Sequence, residues 1–258
     1  MEGLLFIPCV TNKLNNTSKL QADYFIFDLE DSIREGNKET ALTDLVDYLN
    51  DNEDLKRNIV RVNSERLYDE INTLYGCGIR RFMIPKAETT EDINKLSELY
   101  KDISLVLLVE TPRGLINLET MIQYNNVYAV AFGAEDFCTS IQMSNLDELL
   151  LPIKQRIVIL SKAYNKKVYD TITLEIRDAE KINKKVVMSR NLGFDGKLLI
   201  HPKQLEVVAE LNNAIDYDKY KKIVAEFDKS KEGIIIYEGK VYEKPHIEFM
   251  RRCINEKE

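Results

Sequence analysis

Eight short apolar segments recur along this chain, each bounded by polar residues. A continuous apolar segment of this kind is typical of a strand buried on both faces, as in parallel sheets. Stretches with helical spacing separate the segments, so strand and helix alternate eight times. This pattern predicts a closed barrel of eight parallel strands, each followed by a helix. The segments are Leu4–Pro8, Tyr24–Glu30, Asn58–Asn63, Arg81–Lys86, Leu105–Glu110, Ala129–Glu135, Lys167–Thr171 and Gly196–Pro202.

Nearly every apolar segment ends in a residue that can do chemistry. Carboxylates, an arginine, a lysine and a histidine all lie at the C-terminal ends of the segments. A barrel of parallel strands builds its active site at that end of its strands. The polarity of the pattern therefore predicts an enzyme.

Length and composition agree with one large barrel. The chain has 258 residues, and a barrel of eight strand–helix units typically needs about 250. Apolar residues make up 44%, which supplies a core, and 31% charged residues can cover the outer helices. A net charge of −7 and a pI near 5.2 argue against nucleic acid as a partner.

We find no segment in this sequence that we would expect to direct secretion or membrane insertion. No apolar segment approaches the roughly 18 residues that a membrane helix needs, and no signal peptide precedes Leu4. The cysteines Cys9, Cys77, Cys138 and Cys253 lack CxxC spacing, which disfavours zinc or a disulfide framework. We expect a cytoplasmic protein.

The end of the chain differs from the barrel pattern. After the longest helical stretch, residues 147–165, where Pro152 predicts a start or a kink, the strand–helix order continues to the eighth strand. From residue 233 the pattern predicts a hairpin, followed by a helix from His246. We therefore predict an α/β protein: a TIM (β/α)8 barrel over residues 1–230 and a hairpin-plus-helix appendage over residues 231–258.

Two carboxylates follow neighbouring strands and predict a metal site. Glu110 ends the fifth segment and Asp136 follows the sixth. Mg²⁺ prefers oxygen ligands and keeps waters that a substrate can replace. Either acid alone would be a helix cap or a loop charge about as often as a ligand, and Glu135 is a rival for Asp136. On adjacent strands, the pair favours the metal interpretation.

Arg61 lies near the end of the third segment, among apolar residues. An unpaired buried charge is very costly, so this arginine needs an anionic partner. One interpretation is a bidentate clamp on a substrate carboxylate. The other is a structural ion pair with Asp28 or Glu30. We favour the clamp and keep the ion pair open.

Three acids, Asp28, Glu30 and Asp31, end the second segment. They cannot all be ionised in a dry site, so some must meet a cation, a metal-bound water or Lys86. Lys86 ends the fourth segment and is a natural counter-charge for these acids. A Schiff-base role is the sharper, less favoured alternative.

Two further rim residues have plain alternatives. His201 ends the eighth segment, and a lone histidine at such a place is more often a structural group than a general base. Lys13, after the first strand, can equally be a solvated surface charge.

Eight motifs together resemble the citrate lyase beta-chain-like group of the HpcH/HpaI aldolase superfamily, and the resemblance spans about residues 4 to 205. It implies a TIM barrel, usually trimeric or hexameric, that uses Mg²⁺ to make or break a C–C bond next to a thioester or keto acid. The motifs are LLFIP, FDLEDSI, RVN, MIPKAE, VETPRGLINLETM, FGAEDF, VYDTITLEIRD and GFDGKLLIHPKQL.

The resemblance also implies residue roles. Glu110 and Asp136 match metal ligands, and Arg61 matches the substrate clamp. Lys13 matches a position that helps hold the acyl thioester in related coenzyme A lyases, and the region of His201 lines the same pocket. Glu243 aligns with a catalytic aspartate that a neighbouring subunit lends in several of those lyases.

The chain departs from the family pattern in three places. Glu2 replaces an arginine before the first strand, and Cys9 replaces a glycine after it; on this interpretation both lie near the coenzyme A entry and weaken the thioester prediction. Asp31 stands where the keto-acid aldolases carry a histidine base, which disfavours the pyruvate-aldolase branch.

We therefore expect a Mg²⁺-dependent carbon–carbon lyase acting on a 3-hydroxyacyl-CoA such as malyl-CoA or citramalyl-CoA, or on the citryl-CoA equivalent. Arg61 would stabilise the developing oxyanion, and Glu30, Asp31 or Glu243 would be the general base. Two alternatives stay open: a lyase or hydrolase on an acid lacking coenzyme A, and a non-catalytic binding subunit.

The tail favours an oligomer, for which the family resemblance implies a homotrimer or homohexamer. Its apolar residues are too many to leave in water on a small appendage, so they need either the barrel's own helices or a second subunit. They are Ile234, Ile235, Ile236, Tyr237, Val241, Tyr242, Ile247, Phe249 and Met250.

Overall fold

A computed structural model describes residues 1–52 and 55–255 of the chain. Eight parallel strands close into a barrel in sequential order, with β8 paired to β1. The predicted barrel is therefore confirmed. The strands are β1 (Glu2–Pro8), β2 (Tyr24–Asp28), β3 (Asn58–Arg61), β4 (Arg81–Ile84), β5 (Ser104–Val109), β6 (Val127–Phe132), β7 (Lys167–Asp170) and β8 (Gly196–Leu199).

Strand alternation decides which side chains reach the barrel axis. A buried interior cluster includes Ile26 on β2, Ile59 on β3 and Leu108 on β5. Because side chains alternate between the two faces of a strand, Asp28, Arg61 and Glu110, each two residues further on, also point inward. They do so at the carboxyl end of the barrel, where the apolar interior stops.

The helices surround the strands in the predicted alternation. Helix α7 begins five residues before Pro152 and continues through it, so the proline does not mark the start of the helix. The helices of the described residues are α1 (Thr11–Leu14), α2 (Lys38–Asn50), α3 (Leu67–Gly76), α4 (Glu91–Leu99), α5 (Pro112–Met121), α6 (Ala134–Ser140), α7 (Asp147–Ala163), α8 (Ala179–Asn191), α9 (Pro202–Asn213), α10 (Tyr217–Lys229) and α11 (Lys244–Asn255).

The chain divides into two compact units after Ala209. The second unit contains α10, the strands β9 (Ile234–Tyr237) and β10 (Lys240–Glu243), and α11. The two strands pair antiparallel through a tight turn at Glu238 and Gly239, whose φ angles of 49° and 76° suit a type I′ hairpin. The predicted hairpin and following helix are present, and α10 belongs to the same unit.

The second unit has a small core of its own. Ile223 of α10 packs with Ile235, Ile247 and Met250, all at most 8% exposed. These last three residues of the tail therefore pack on a helix of their own chain, one of the two partners expected, although α10 belongs to the second unit and not to the barrel. Four others stay exposed: Ile234, Ile236, Val241 and Phe249.

Across the described ranges, no helix combines the length and apolar character needed to cross a bilayer.

Candidate active site

A cavity of about 420 Å³ opens at the carboxyl ends of the barrel strands. One part of its wall is apolar, formed by Phe6, Leu108, Phe132, Ile172, Leu198 and Ile200. The other part is charged, formed by Asp28, Asp31, Arg61, Glu110, Glu135 and Asp136. A small apolar enclosure with a few convergent polar groups is what a ligand site requires.

A larger hollow, about 740 Å³, lies at the opposite end of the barrel, around the start of β5 and β6. Its acid, Asp102, is paired with Arg80 at 2.7 Å. We place the site at the carboxyl end because the charged residues of several strands converge there.

Arg61 lies at the centre of the charged wall, only 8% exposed. Its Nε and Nη2 each donate to one oxygen of Asp28 at 2.7 Å, and its Nη1 donates to Asp31 Oδ2 at 2.8 Å. The Phe6 ring lies 5.0 Å from the guanidinium carbon. The structural ion pair with Asp28 is therefore present, and Arg61 lines the cavity at the same time.

The carboxylates around Arg61 differ in charge state. Burial alone would raise the pKa of Asp28, but the hydrogen bonds and charge of Arg61 lower it. Burial raises the pKa of Glu30 to about 8, with Arg61 opposing and the negative charges of Asp31 and Glu110 adding to the rise. Glu30 Oε2 lies 3.2 Å from Arg61 Nη1 without the geometry of a hydrogen bond. As expected for a dry site, the acids are not all ionised near neutral pH.

Glu30 lies outside the cavity wall. The strand ends at Asp28, and Glu30 follows in a bend, so the loop rather than strand alternation places its side chain. Because the second segment was expected to be a strand as far as Glu30, alternation would have sent Glu30 to the same side as Asp28; this is wrong, and only Asp28 and Asp31 of the three acids line the cavity.

Glu110 is a buried carboxylate of the same charged wall, 2% exposed, and follows β5 directly. Burial raises its pKa to about 7, although a hydrogen bond from the backbone N–H of Lys86 (2.7 Å) lowers it and the charge of Asp136 raises it. Asp136 lies in the first turn of α6 and is exposed into the same cavity.

Gly133 makes room for Glu110. A Cβ at position 133 would lie 2.8 Å from Glu110 Cβ and 2.9 Å from Glu110 Oε2. Glycine is therefore required at the start of α6 if the carboxylate is to reach the cavity.

The donor set suits Mg²⁺. Glu110 and Asp136 offer hard oxygen ligands, and a buried acid whose pKa is raised by a neighbouring acid gains from a cation. Within the described ranges, no group of three or more His, Cys, Asp or Glu side chains is placed so that it could hold a metal, so the proposed ligands are Glu110 and Asp136 alone. The rival Glu135 also lines the cavity, but its Oε1 accepts a hydrogen bond from Asn145 at 2.8 Å.

The structure differs from the expectation that Lys86 is the counter-charge for the acids after β2. Lys86 is exposed, with a left-handed φ of 47°, and it is the backbone N–H that contacts Glu110. The ammonium that contacts the loop after β2 belongs to Lys38, which donates to the carbonyls of Leu29 and Glu30. Sequence reasoning missed Lys38; its signal was a lysine in the first turn of a helix, where a cation is unfavourable.

A second cluster of buried charges, formed by side chains of β7, β8 and α7, was also missed by sequence reasoning. Asp170 pairs with Lys154 at 3.0 Å and with Lys197 at 3.3 Å. Lys197 also donates to the carbonyl of Thr171 at 2.7 Å, and the Thr171 hydroxyl accepts from the backbone N–H of Ala134 at 3.1 Å. Within this cluster, Lys197 therefore holds the residue that contacts the start of α6, whereas Lys154 donates its hydrogen bond to Asp170.

Two predicted site residues lie off the cavity wall, and a third belongs to the second compact unit. Lys13 is exposed on α1, and His201 follows β8 with its Nδ1 accepting the backbone N–H of Lys203 at 3.2 Å. Neither lines the cavity. Glu243 ends β10 in the second compact unit.

Glu2 and Cys9, both expected near one coenzyme A entry, lie at opposite ends of β1. Glu2 is the first residue of β1, at the amino end of the barrel, 3.3 Å from Lys167. Cys9, just after the carboxyl end of β1, is fully buried. Glu2 is therefore at the opposite end of its strand from the cavity.

Comparison with known proteins shows the family to which the chain belongs. Residues 3–202 match the HpcH/HpaI aldolase/citrate lyase family. The chain belongs to this family. The resemblance inferred from the eight motifs is thereby confirmed.

Members of the family with curated names are similar over most of the chain. A (3S)-malyl-CoA thioesterase of Cereibacter sphaeroides (strain ATCC 17025 / ATH 2.4.3) is 26% identical over 265 residues, covering 98% of this chain and 93% of the relative. The mitochondrial citramalyl-CoA lyase of Homo sapiens is 29% identical over 237 residues, covering 81% of this chain and 69% of the relative.

A solved structure of CitE from Mycobacterium tuberculosis in complex with magnesium, acetoacetate and coenzyme A superposes with a TM-score of 0.81. It is 24% identical and covers 98% of both chains. The two proteins therefore share the fold along nearly their whole length.

Proposed function

We propose that this protein is a Mg²⁺-dependent carbon–carbon lyase acting on a 3-hydroxyacyl-CoA such as malyl-CoA or citramalyl-CoA. The observation that carries the proposal is the convergence of Glu110, Asp136 and Arg61 on one cavity at the carboxyl end of a barrel of this family. The citramalyl-CoA lyase relative and the magnesium and coenzyme A bound by the CitE structure support it.

Glu110 and Asp136 would hold the metal, which when bound supplies a Lewis acid for the oxygens of the hydroxy-acid unit. Arg61 faces the same unit and stabilises the negative charge that develops on oxygen. Its ion pair with Asp28 fixes the guanidinium plane, so little reorganisation is needed during the reaction. The apolar wall around Phe132 and Leu198 keeps water from the reacting carbons.

Asp31 is the general base that the geometry favours over Glu30. It lines the cavity, whereas Glu30 does not, and the raised pKa of Glu30 leaves it protonated near neutral pH. The base takes the hydroxyl proton, the new carbonyl forms, and the C–C bond breaks with its electron pair on the thioester α-carbon. That carbon then takes up a proton, which yields a keto acid and a shorter acyl-CoA.

A hydrolase acting on the same thioester is the second candidate, favoured by the malyl-CoA thioesterase relative. The alternative without coenzyme A loses one of its reasons because Glu2 lies away from the cavity. A non-catalytic binding subunit has little support while the metal carboxylates and Arg61 are all in place.

One assay separates these functions. The protein is incubated with malyl-CoA, citramalyl-CoA or the free hydroxy acids, with Mg²⁺ or with EDTA, and both keto acid and free thiol are measured. The proposal predicts keto acid without free thiol, only with Mg²⁺, and none from Glu110→Gln. Free thiol without keto acid would assign the hydrolase instead, and no product would favour the binding subunit.

The exposed face of the hairpin supports an oligomer. In the register of β9 and β10, Ile236 pairs with Val241 and Ile234 pairs with Glu243. Ile234, Ile236 and Val241 are 44%, 68% and 54% exposed, so Glu243 stands in an apolar patch open to solvent. The loops at the carboxyl end of the barrel also expose apolar side chains, among them Val10, Leu174 and Ile200. The working unit in this proposal is a homotrimer or homohexamer in which Glu243 of one copy serves the site of another.

A further inference from the structure

Lys38 is a buried cation at a position where electrostatics disfavours one. It is the first residue of α2 and only 7% exposed. Cations are destabilising near a helix N-terminus, and a buried charge must be well paired to be tolerated. A buried cation at this end of a helix therefore points to a role beyond simple stability.

The Lys38 ammonium has a full set of acceptors. Nζ donates to the carbonyls of Leu29 (2.9 Å) and Glu30 (2.5 Å) and to Oδ1 of Asn63 (2.7 Å). An ammonium has three N–H groups, so every donor is used. Two of the three acceptors are backbone atoms of the loop that follows β2.

The same loop is held from its other side by Asp28. The backbone N–H of Glu30 donates to Asp28 Oδ1 at 2.9 Å, and that of Ser32 donates to Asp28 Oδ2 at 3.1 Å. A carboxylate therefore takes the N–H groups of the loop, while the Lys38 ammonium takes its C=O groups. Residues 29–32 are fixed between two opposite charges.

Asn63 joins this arrangement to β3. Its backbone N–H and Nδ2 donate to the two carboxylate oxygens of Glu70 at 2.8 and 2.5 Å. Glu70 is 2% exposed, and burial raises its pKa although the hydrogen bonds from Asn63 lower it. Lys38 thus ties the end of β2 to the end of β3, the strands that carry Asp28 and Arg61.

We propose that Lys38 is a positioning residue for the reaction proposed above: it fixes the loop of residues 29–32 so that Glu30 and Asp31 meet Nη1 of Arg61. Lys38 does not line the cavity, so it acts through the loop and not on the substrate. Without the ammonium, the carbonyls of Leu29 and Glu30 would turn toward water, and Asp31, whose side chain is 63% exposed, would lose its fixed approach to the guanidinium. The inference rests on the proposed function for its kinetic part only.

The first test is independent of activity. In full-length Lys38→Met, amide hydrogen exchange of Glu30 and Ser32 should rise at least tenfold, because their N–H groups depend on the fixed loop. The matched control is Lys154→Met, which removes a lysine that is 2% exposed and leaves Asp170 with its partner Lys197. It should leave exchange in residues 28–32 unchanged. Unchanged exchange in Lys38→Met would overturn the proposal, whether or not the wild type is a lyase.

The second test is kinetic. Lys38→Met should lower kcat at least thirtyfold, while the rise in Tm on adding Mg²⁺ stays within a degree of that of the wild type. Lys154→Met should lower Tm but keep kcat within threefold. Lys38→Arg, which keeps a charged donor, should recover part of the loss; should Lys38→Met not fold, Lys38→Arg and Lys38→Gln are compared in its place, with the larger loss expected for Gln.

A double mutant distinguishes positioning from general stability. In an Asp31→Asn background, Lys38→Met should lower kcat less than threefold further, because the group it positions is already gone, while its effect on Tm persists. The same kcat loss in both backgrounds would overturn the proposal. A wild type without lyase turnover would refute the proposed function and leave the exchange test standing.

Discussion

Glu30 and Asp31 are adjacent residues with different environments, and the difference has a measurable consequence. Burial raises the pKa of Glu30 from 4.5 to about 8. Between those values the folded protein holds a proton that the unfolded chain releases. The contribution of Glu30 to stability is therefore complete below about pH 4.5 and is lost as pH rises through about 8.

In metal-free protein, we predict that the free energy of unfolding falls with pH in this window, by on the order of 1–3 kcal/mol relative to Glu30→Gln. Urea unfolding in EDTA from pH 5 to pH 9 measures both curves. Parallel curves for the two proteins would show that Glu30 is ionised in the folded state.

At Lys86, the role of the backbone N–H can be tested separately from that of the side chain. Its φ of 47° is a conformation that glycine adopts without strain, and its N–H holds Glu110. We predict that Lys86→Gly keeps kcat within about threefold of wild type and is at least as stable, since about 1 kcal/mol of left-handed strain is relieved. Steady-state kinetics and urea unfolding check both parts. A loss of turnover with an intact Mg²⁺ response would revive the Schiff-base role.

At the level of single elements, the start of α6 determines whether Glu110 can reach the cavity. We predict that Gly133→Ala displaces the carboxylate, because its Cβ would lie 2.8 Å from Glu110 Cβ. The rise in Tm on adding Mg²⁺ should disappear and kcat should fall at least 100-fold, as in Glu110→Gln. Thermal unfolding with and without Mg²⁺ measures the first effect.

Gly36→Ala is the matched control, since an added Cβ there meets nothing within 4 Å. It should leave both readouts unchanged. If Gly133→Ala keeps its response to Mg²⁺, the metal is not bound through Glu110.

The elements themselves were predictable, and their ends were not. Apolar runs reveal buried strands, so all eight strands were found, but they do not show where the hydrogen-bonded ladder stops. Tyr24–Glu30 was expected to be a strand throughout, whereas β2 ends at Asp28. Glu30 therefore belongs to a loop whose path depends on Lys38, 8 positions after Glu30, and on Asn63, 25 positions after Lys38. A periodic pattern does not reveal contacts between residues so far apart in sequence.

The same limit determines which features of the active site could be predicted from the sequence. Arg61, Glu110 and Asp136 could be placed at the rim because strand alternation and strand order determine their positions. The partner of Arg61 could be narrowed only to Asp28 or Glu30, because the choice depends on side-chain distances. The boundary after Ala209 also escaped the pattern, since α10 resembles the helices of the barrel until its partner Ile235 is seen.

For the whole molecule, the exposed hairpin face predicts how copies associate. Ile236 is 68% exposed, so Ile236→Asp should not disturb the core of its own unit. We predict that this variant sediments as a smaller species than wild type and turns over at least tenfold more slowly. Ile159→Asp, at an isoleucine equally exposed on α7, is the control and should keep the wild-type size. Equal sedimentation of Ile236→Asp and wild type would place the association surface elsewhere.

Because Glu243 of one copy is proposed to complete the site of another, two inactive variants should complement each other. Glu243→Gln lacks the lent group, and Arg61→Ala lacks the guanidinium in its own barrel. In an oligomer assembled from equal amounts of both, a site is complete when the barrel comes from the first variant and the tail from the second, which holds for about a quarter of sites. Co-expression with different affinity tags, followed by purification on both, isolates such hybrids. Because this purification removes oligomers made of one variant, we predict that the hybrids recover roughly a third of wild-type activity as trimers or roughly a quarter as hexamers, while each variant alone stays inactive. Hybrids that remain inactive would show that Glu243 serves the barrel of its own chain or none.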